Sequence, residues 1–473
     1  MSKIVTLVIA GLLSAVSLHA ENSNVRFNLN IPSAPDTIQP ITVQKGCILP
    51  LAKKPMPQRE GYRFAGWFTS PSCQPTEEWF FGEKLKSMWP REVADSMAVE
   101  GDMTLYARWV APKHVRTADD LCQMQQDLGG WYVLDNDIDL SGIKNFKPIG
   151  DYKADYEWCD GEWWTAAFKG CLDGQGHSIR GLQFTELLQH KTALFGAAAN
   201  ADIRNLCIDG YCVRVYSTIN APYIAPLIGI AKEDGYGRMS IRNCHVKNAD
   251  VEVEIEATEE GMYASVTGLM AGIWNGDIVD CTIDGKINVK VTGAAKGVFF
   301  CGGLTGETFS RTQRCQSHMD INVSFSPESA LESNVGGLQA SCSDISDSEN
   351  HANVTVTGGS AGSKTFVGGL AGSMRYGTIS RTLQAGNILL KDASRMQAGT
   401  LIGEFNVLYG NIGLASGVSQ TAIRDCTVTG RFTHENIPDF TGGDLSGNGV
   451  PQAVKTFFGI DGMKYSIENC ITQ

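Results

Sequence analysis

Aromatic and acidic side chains are concentrated in the stretch DYEWCDGEWW at residues 155–164. Rings flanked by carboxylates can stack on sugar rings while the carboxylates accept hydrogen bonds from sugar hydroxyls. Packing of the rings against neighbouring parts of the protein would explain the same composition. We predict a ligand-binding site in this stretch, formed by Tyr156, Trp158, Trp163 and Trp164.

A second run of chemically active residues begins at Val251, where VEVEIEATEE alternates apolar and acidic residues. Successive side chains of a β-strand point to opposite faces, so Glu252, Glu254 and Glu256 would share one face. The simplest interpretation is a strand face in contact with water. A Ca²⁺ site is the alternative, because this ion prefers clustered carboxylate oxygens.

The elements that must position these side chains contain a repeated motif of the form GGLxG, followed each time by a run of polar and apolar residues. Aligning the copies gives eight of them, spaced by about 31 to 34 residues in the middle of the chain and with longer inserts elsewhere. Such a period is typical of a stacked repeat array. The residues that begin the eight runs are Ile203, Ile241, Ile278, Thr312, Ile345, Ile379, Ile423 and Ile467.

Each copy has the sequence pattern of short β-strands. Apolar residues alternate with polar ones, and glycines such as Gly285, Gly386 and Gly430 punctuate them, which predicts about three strands per copy and no helix. A single short strand cannot bury its apolar face alone, so equivalent strands of successive copies must stack into parallel sheets. We therefore predict a mainly β protein containing a β-helix-like solenoid of about eight coils.

Five of the 14 cysteines fall at one position of the repeat, three residues after the leading residue. Because this position also accepts Leu, Ser and Thr, we predict an inward column in which Cys acts as a small apolar side chain. A metal or redox column is the alternative, but the chain has no CxxC pair and no histidine recurs beside the column, so we predict neither a metal nor a cofactor. The column is Leu206, Cys244, Cys281, Cys315, Ser348, Thr382, Cys426 and Cys470.

The position before this column is polar in every copy, and we expect it to face outwards or to cap a turn. Its occupants are Asn205, Asn243, Asp280, Arg314, Asp347, Arg381, Asp425 and Asn469.

Glycan-cleaving enzymes require paired carboxylates, and the outward column six positions after the leading residue of each copy is a place where such pairs could form. No two neighbouring coils place carboxylates together there, and His177 in DGQGHSI is better explained as a residue that orders a turn. We therefore predict that the chain is not an enzyme, with a polysaccharide-degrading β-helix enzyme as the alternative. The column, six positions after the leading residue, is Asp209, Lys247, Asp284, His318, His351, Ala385 and Thr429.

Residues 1–20 have the pattern of a signal peptide: a basic Lys3, an apolar stretch from Ile4 to Val16 and Ala20 at a plausible cleavage site. We predict export, followed by no membrane insertion, because no other apolar run has spanning length. The net charge of −12, from 39 basic and 51 acidic residues without a dense basic run, argues against nucleic-acid binding.

Residues 117–182 are predicted to open the solenoid. Thr117 is a candidate N-cap with Asp120 three residues later, and Leu121, Met124 and Leu128 follow at helical spacing. We predict a helix here that covers the open end of the first coil, since an uncovered sheet edge would recruit other chains.

Several stretches resemble a known family. WYVLDNDIDLSG from Trp131, FKPIG at 146–150 and FKGCLDGQGHSIRGL from Phe168 are similar to the opening unit of bacterial extracellular proteins with GLUG motifs. The GGLxG copies at 183–473 resemble GLUG repeats. The resemblance implies an exported β-helical solenoid of the kind found in surface proteins attributed to adhesion, and it brings no catalytic motif.

Residues 25–112 resemble the Listeria–Bacteroides repeat domain through REGYRFAGWF at 59–68 and MTLYARW at 103–109. The resemblance implies a small β-grasp module before the solenoid. Two cysteines of this module, Cys47 and Cys73, are candidates for a local disulfide if the chain is exported.

Taken together, these features predict an exported, adhesin-like protein at the bacterial cell surface or outside the cell. The rigid solenoid would present an extended surface to host or microbial glycans or to surface proteins. A structural component of a cell-envelope assembly is a further alternative.

Overall fold

The computed structural model describes residues 21–472 except 33–34, 36, 75–76, 80, 82–97, 151–165, 188–189, 233–238, 275, 361, 375–376, 406–419, 444–455 and 459–463. The protein is mainly β, with 57% strand and 4% helix, as the repeat pattern predicts. None of the helices formed by the described residues is long and apolar enough to cross a membrane.

The chain divides into two compact units. The first contains the described residues up to Pro57 and those within 66–84 and 95–108. Most of it is a five-stranded mixed sheet, in which Asn22–Asn28 pairs parallel with Met103–Val110 and antiparallel with Ile41–Gln44, and Arg63–Phe68 pairs antiparallel with Glu78–Trp79. In sheet order, the strands are Ile41–Gln44, Asn22–Asn28, Met103–Val110, Arg63–Phe68 and Glu78–Trp79.

Aromatic packing holds the first unit together. The ring of Trp67 is fully buried, meets the ring of Phe27 edge-on at 4.8 Å between centroids, and donates a hydrogen bond to Pro55 O. The predicted β-grasp is not confirmed, because within this unit the described residues form no α-helix across the sheet. The disulfide considered for Cys47 and Cys73 is not formed.

The second unit contains the described residues from Trp109 onwards, together with 58–65. Its helix spans Ala118–Gln123 and continues as the 3₁₀ turn Met124–Gln126. The predicted capping box is present, because Thr117 accepts from Asp120 N while the Asp120 side chain accepts from Thr117 N. Leu121 and Met124 are buried in the main core, whereas the covering of the first coil remains a prediction.

Three stacks of strands build the solenoid, and nearly all of their pairings are parallel. We call the largest stack sheet 1; the described residues give it 25 strands. They are Pro112–Val115, Trp131–Leu134, Ile138–Asp139, Cys171–Asp173, Ser178–Arg180, Gln183–Phe184, Asp202–Asp209, Cys212–Ser217, Met239–Glu256, Gly276–Val279, Thr282–Thr292, Arg311–Gln313, Gln316–Phe325, Asp344–Ser346, Glu349–Asn350, Val354–Gly358, Thr378–Ser380, Leu383–Gln384, Ile388–Lys391, Gln420–Arg424, Thr427–Val428, Phe432–Glu435, Thr456–Phe458, Lys464–Glu468 and Ile471–Thr472.

The other two stacks are sheet 2 and sheet 3, which the chain visits in this order in each coil. The strands of sheet 2 are Lys191–Thr192, Tyr223–Ile224, Met262–Thr267, Gly297–Gly302, Glu332–Gly336, Lys364–Gly368, Arg395–Gly399 and Asp439–Gly443. The strands of sheet 3 are Phe195–Ala199, Ile228–Lys232, Met270–Trp274, Thr305–Thr308, Gln339–Cys342, Ala371–Met374 and Ile402–Phe405.

The eight predicted leading residues form one column, since each pairs in register with the next from Ile203 to Ile467. The predicted eight coils are nevertheless wrong, because the solenoid has about six turns. Seven strands stack in sheet 3, which makes six steps between neighbours. In the last copy, Thr456–Phe458 does not continue a stack but pairs antiparallel with Lys464–Glu468.

The GGLxG motif is the corner between sheets 2 and 3. Its leucines point into the core and are at most 1% exposed. Its last glycine packs against the backbone and side chains of sheet 2: a Cβ at Gly306 would overlap Ser265 Oγ, and one at Gly403 would lie 2.5 Å from Val367 N. Small residues therefore recur at this last position, with Ala271 and Ala340 in two of the copies, because the two sheets fold back on each other too closely to admit large side chains. The corner leucines are Leu194, Leu227, Leu269, Leu304, Leu338, Leu370 and Leu401.

The polar column before the cysteines forms a turn, as expected. All eight of its residues have left-handed backbone conformations, with φ between 50° and 56°. Asn and Asp tolerate this conformation better than most residues, and they occupy six of the eight positions.

The cysteine column is buried, as predicted, and it has a local function in the same turn. Each of its described cysteines donates from Sγ to the carbonyl oxygen two residues earlier, at 3.2 to 3.5 Å. Ser348 makes the equivalent bond to Ser346 O at 2.8 Å. The column therefore favours small side chains that can donate one hydrogen bond to the turn.

Candidate ligand-binding face of the solenoid

A candidate surface site lies on sheet 1, where strands of five successive coils run side by side. Their inward residues are apolar and at most 5% exposed, while the residues between them point to solvent. This alternation follows from the two-residue period of a strand. We call the outward residues the groove face; they are Arg214, Tyr216, Glu252, Glu254, Asn288, Lys290, Asn322, Ser324, Thr355 and Thr357.

An open groove of about 590 Å³ follows the groove face across all five coils. Residues 30 to 40 positions apart in sequence become neighbours there because the strands stack in register. Arg214 pairs with Glu252, Glu252 with Asn288, and Asn288 with Asn322.

One end of the groove face is charged, and its charges are internally paired. Arg214 contacts Asp250 and Glu252, and Lys290 contacts Glu254 at 2.8 Å. Partial burial alone would raise the pKa of Asp250, but hydrogen bonds and attraction from Arg214 and Lys286 outweigh it and hold that pKa below its usual range. Asp250 thus stays ionised and bound to Arg214 and Lys286 of the adjacent coils.

An exposed aromatic ring borders this charged end. Tyr216 is 59% exposed, and its hydroxyl donates a hydrogen bond to Glu256 Oε2. The bond fixes the orientation of the ring while leaving its surface open to solvent. A fixed, exposed ring is suited to stacking on a flat apolar patch of a ligand.

The other end of the groove face is uncharged. Asn322 Nδ2 donates to Asn288 Oδ1 at 2.9 Å, which uses only one group of each amide. On the next coil, Thr355 pairs in register with Asn322, and Thr357 pairs with Ser324. This end therefore offers hydroxyl and amide groups that can both donate and accept hydrogen bonds.

The sequence analysis identified part of this site. Glu252, Glu254 and Glu256 share one face of their strand, as predicted, and their partners are Arg214, Lys290 and Tyr216 respectively. Among the described residues, no group of three or more His, Cys, Asp or Glu side chains could hold a metal ion. The Ca²⁺ alternative is therefore not supported at this strand. The predicted site at Tyr156, Trp158, Trp163 and Trp164 lies outside the described residues.

His177 ends a turn of the opening unit. Its backbone N donates to Gly174 O at 2.7 Å, and its Nδ1 lies 3.6 Å from Asp137 Oδ1. The same Asp137 oxygen accepts from Ser178 N at 2.8 Å, so the histidine and aspartate together link turns of adjacent coils.

The outward column searched for carboxylate pairs stacks as expected. Asp284 pairs with His318, and the rings of His318 and His351 stack at 4.7 Å with an angle of 6°. His351 Nε2 also contacts Glu349 Oε2 at 2.7 Å.

Acidic groups that the sequence analysis missed lie between sheets 2 and 3, in a layer that we call the seam. Outward residues of both sheets are buried here against each other, and Tyr263 donates to the carboxylate of Glu307. Glu404 lies further along the same column of sheet 3, past Ser341 and Ser373. Each glutamate directly follows the last glycine of a repeat motif, which is the sequence signal that could have revealed it.

Glu404 is the more unusual of the two. Burial, with a smaller contribution from the negative charge of Glu332, raises the pKa of its carboxyl to about 7, while Lys364 acts in the opposite direction. Its Oε2 atom has no hydrogen-bond partner. A carboxyl that is partly protonated near neutral pH has the acidity required of a general acid or base.

The sequence matches no family model and no curated protein. The solved structures that are similar to the chain include the following two. One is a protein of Bacteroides ovatus with the provisional name immunoglobulin A1 protease, at 15% identity over 77% of this chain and 84% of that one, with a TM-score of 0.39. The other is named IgA1 Protease, at 12% identity over 80% of this chain and 23% of that one, with a TM-score of 0.37.

The prediction that the chain is not an enzyme is contradicted by these protease names, and it is withdrawn. That prediction depended on the lack of paired carboxylates in a single outward column of sheet 1. Glu307 and Glu404 are not part of that column, because they belong to sheet 3 and reach the seam only after sheets 2 and 3 have folded together. The names belong to those two proteins, and we derive no protease chemistry for this chain from them.

Proposed function

We propose that this protein is an exported binding protein that holds glycans on the groove face. The observation that supports the proposal is the groove of about 590 Å³ on sheet 1, with an exposed Tyr216 ring at one end and uncharged amides and hydroxyls at the other. Sugars present flat apolar patches and many hydroxyl groups, and both features have complementary partners here.

The composition of the groove favours a glycan over a protein partner. The core of a protein interface is enriched in aromatic and apolar residues and depleted of charge. The groove lining has one aromatic residue, four charged residues and a series of Asn, Ser and Thr side chains. Sugar hydroxyls can bind such groups without leaving buried donors or acceptors unpaired.

Export and a location at the cell surface are part of the proposal. They are supported by the signal-peptide pattern of residues 1–20 and by the resemblance to bacterial extracellular GLUG proteins. The N-terminal resemblance to a Listeria–Bacteroides repeat domain is consistent with the same location. The aromatic stretch at 155–164 is proposed as a second contributor to binding.

The test is binding of the chain from residue 21 to an immobilised panel of host and microbial glycans and matrix proteins. Three variants accompany it: Asn288→Ala/Asn322→Ala in the groove, Trp158→Ala/Trp163→Ala in the aromatic stretch, and Gln316→Ala as a control. Gln316 lies on the same strand as Asn322 but outside the groove.

Saturable glycan binding that the groove variant lowers at least about tenfold, with the control unchanged, supports the proposal. Loss of binding in the tryptophan variant alone would move the site to the aromatic stretch. Binding restricted to matrix proteins, or no binding to any glycan of the panel, would overturn it.

Glycan cleavage is the second candidate function, and Glu404 is the observation that favours it. A half-buried carboxyl with a pKa of about 7 can donate or accept a proton at neutral pH. The test is to incubate each bound glycan with the protein and to follow shorter products by chromatography. Products that form with the wild-type chain but not with Glu404→Gln would establish the activity.

A further inference from the structure

We propose that the ligand of the groove face is a straight, neutral glycan chain that runs along the solenoid axis and places one sugar ring over each coil. This inference rests on the proposed function, and it specifies the class of glycan and the direction in which it lies. It follows from the spacing, the charge balance and the polarity of the groove.

The spacing of the groove comes from the stacking of strands. Adjacent strands lie about 4.8 Å apart, so a groove over five coils extends roughly 19 Å along the axis. In an extended glycan with equatorial linkages, each pyranose ring advances the chain by about one such strand spacing. Successive rings can therefore lie close to equivalent positions of successive coils over a groove of this length.

The equivalent positions have hydrogen-bonding side chains at every step. Starting from Arg214, the first outward column continues with Glu252, Asn288, Asn322 and Thr355, each in register with the last. The second column runs parallel to it, two residues further along each strand. A chain lying along the axis would meet two side chains per coil, whereas a chain lying along one strand would meet only a single pair.

The charge balance favours a neutral chain. The lining contains two acidic residues, Glu252 and Glu254, and two basic residues, Arg214 and Lys290. Each of the four is engaged in an ion pair with another of them. An anionic glycan would have to break one of these pairs, and it would leave a carboxylate without its cation.

The ends of the groove differ, which gives the ligand a polarity. Tyr216, with its ring held by Glu256, is placed to stack on the terminal sugar at the first coil. At the fifth coil Thr355 and Thr357 offer only hydroxyl groups. Short chains should therefore bind at the tyrosine end, and longer chains should extend towards the threonines.

The experiment is calorimetric titration of the chain from residue 21 with cello-oligosaccharides of one to six sugars, and with the matching mannan- and xylan-derived series. In at least one series we expect affinity to rise with each added sugar and to level off at about five. Malto-oligosaccharides, which curve, and oligogalacturonates, which are anionic, are the controls for shape and charge, and both should bind at least about tenfold more weakly.

Two variants locate the chain on the protein. Tyr216→Ala should weaken binding about tenfold for chains of every length, because all of them use the stacked end. Thr355→Ala should reduce the affinity for the five-sugar chain to that of the four-sugar chain and leave the trisaccharide unchanged. Gln316→Ala should change none of these values.

The outcomes separate this inference from the proposed function. If glycans of the panel bind but no straight neutral series shows a length dependence, the inference is overturned and glycan binding stands. Preference for oligogalacturonates, with binding that falls steeply as salt is added, also overturns it. Equal effects of Thr355→Ala on short and long chains would exclude the axial direction.

Discussion

Arg314 lies one coil beyond Asp280 at the same position of the repeat, and it donates hydrogen bonds from Nε and Nη2 to the two carboxylate oxygens of Asp280 at 2.6 and 2.9 Å. Both residues have left-handed backbones, with φ of 51° and 56°. Arg381 and Asp347 repeat the arrangement two coils later. Each pair therefore joins the strained turns of adjacent coils through their side chains.

The first prediction concerns Arg314, whose backbone conformation is unfavourable for branched side chains. Arg314→Val should lower the melting temperature by several degrees, because a β-branched residue is strained at positive φ and the ion pair is lost as well. Arg314→Gly should cost less, since glycine adopts this conformation freely. Thermal unfolding followed by circular dichroism measures both; equal losses would mean that the ion pair, not the backbone, decides stability.

The second prediction tests the corner between sheets 2 and 3. Gly306→Ala should destabilise the protein by about 2 kcal/mol or more, because the new Cβ would overlap Ser265 Oγ and Ala271 O. Gly272→Ala, on an adjacent strand of sheet 3, is the matched control. No atom of the described residues lies within 4 Å of its Cβ position, so this variant should be neutral or stabilising by up to about 1 kcal/mol.

Urea unfolding of the two glycine variants gives the comparison directly. A Gly306→Ala protein as stable as the Gly272→Ala protein would show that the sheets can separate at the corner without cost.

The third prediction is a pH dependence of stability due to Glu404. Its pKa is about 7 in the folded protein against an ordinary value of 4.5, so between these values the folded state binds more protons than the unfolded state. Stability should therefore be highest at about pH 4.5 and below, fall as pH rises to about 7, and lose about 3 kcal/mol at most through this group.

Replacing Glu404 by Gln removes the titrating group and tests this sign. Glu404→Gln should be more stable than the wild type at pH 8 and differ little from it at pH 5. Denaturant midpoints at both pH values measure the effect, and Glu259→Gln, at an exposed position, is the control. The explanation fails if the two variants respond to pH in the same way.

The fourth prediction concerns the buried cysteine column. Burial raises the pKa of the Cys281 thiol well above its ordinary value, so it should resist alkylation in the folded protein and react once the protein is unfolded. Cys281→Ser should cost about 1 kcal/mol or less, because Ser348 already fills the same position and bonds to the same carbonyl of its turn. Mass spectrometry after iodoacetamide treatment follows the thiol; rapid labelling of native Cys281 would contradict its burial.

The repeated part of the fold could be predicted from the sequence because its signals are local. Apolar residues alternate within each run, and a turn residue precedes a small residue in every copy. From this pattern Ile203, Ile241 and Ile278 were correctly aligned as one column, and Cys244 and Cys281 as another. The Glu252, Glu254 and Glu256 face followed from the same two-residue period.

The number of turns was predicted less well, because a copy that resembles the others in sequence need not add a strand to every stack of the solenoid. The last copy has the leading Ile467 in register with Ile423, yet its preceding strand Thr456–Phe458 turns back antiparallel instead of extending a sheet. Two short strands of similar composition can pair in either direction, and their neighbours in space decide between the two.

The sequence by itself determined the strands, their faces and their order, since these depend on residues a few positions apart. Only the tertiary structure decided which outward faces remain open. Sheets 2 and 3 close over Tyr263 and Glu307 and cover Glu404 in part, whereas sheet 1 leaves Tyr216 and Asn322 exposed to form a groove. Alternation in a strand distinguishes its two faces but does not reveal what packs against the second one, because that partner comes from another sheet after the corners have folded.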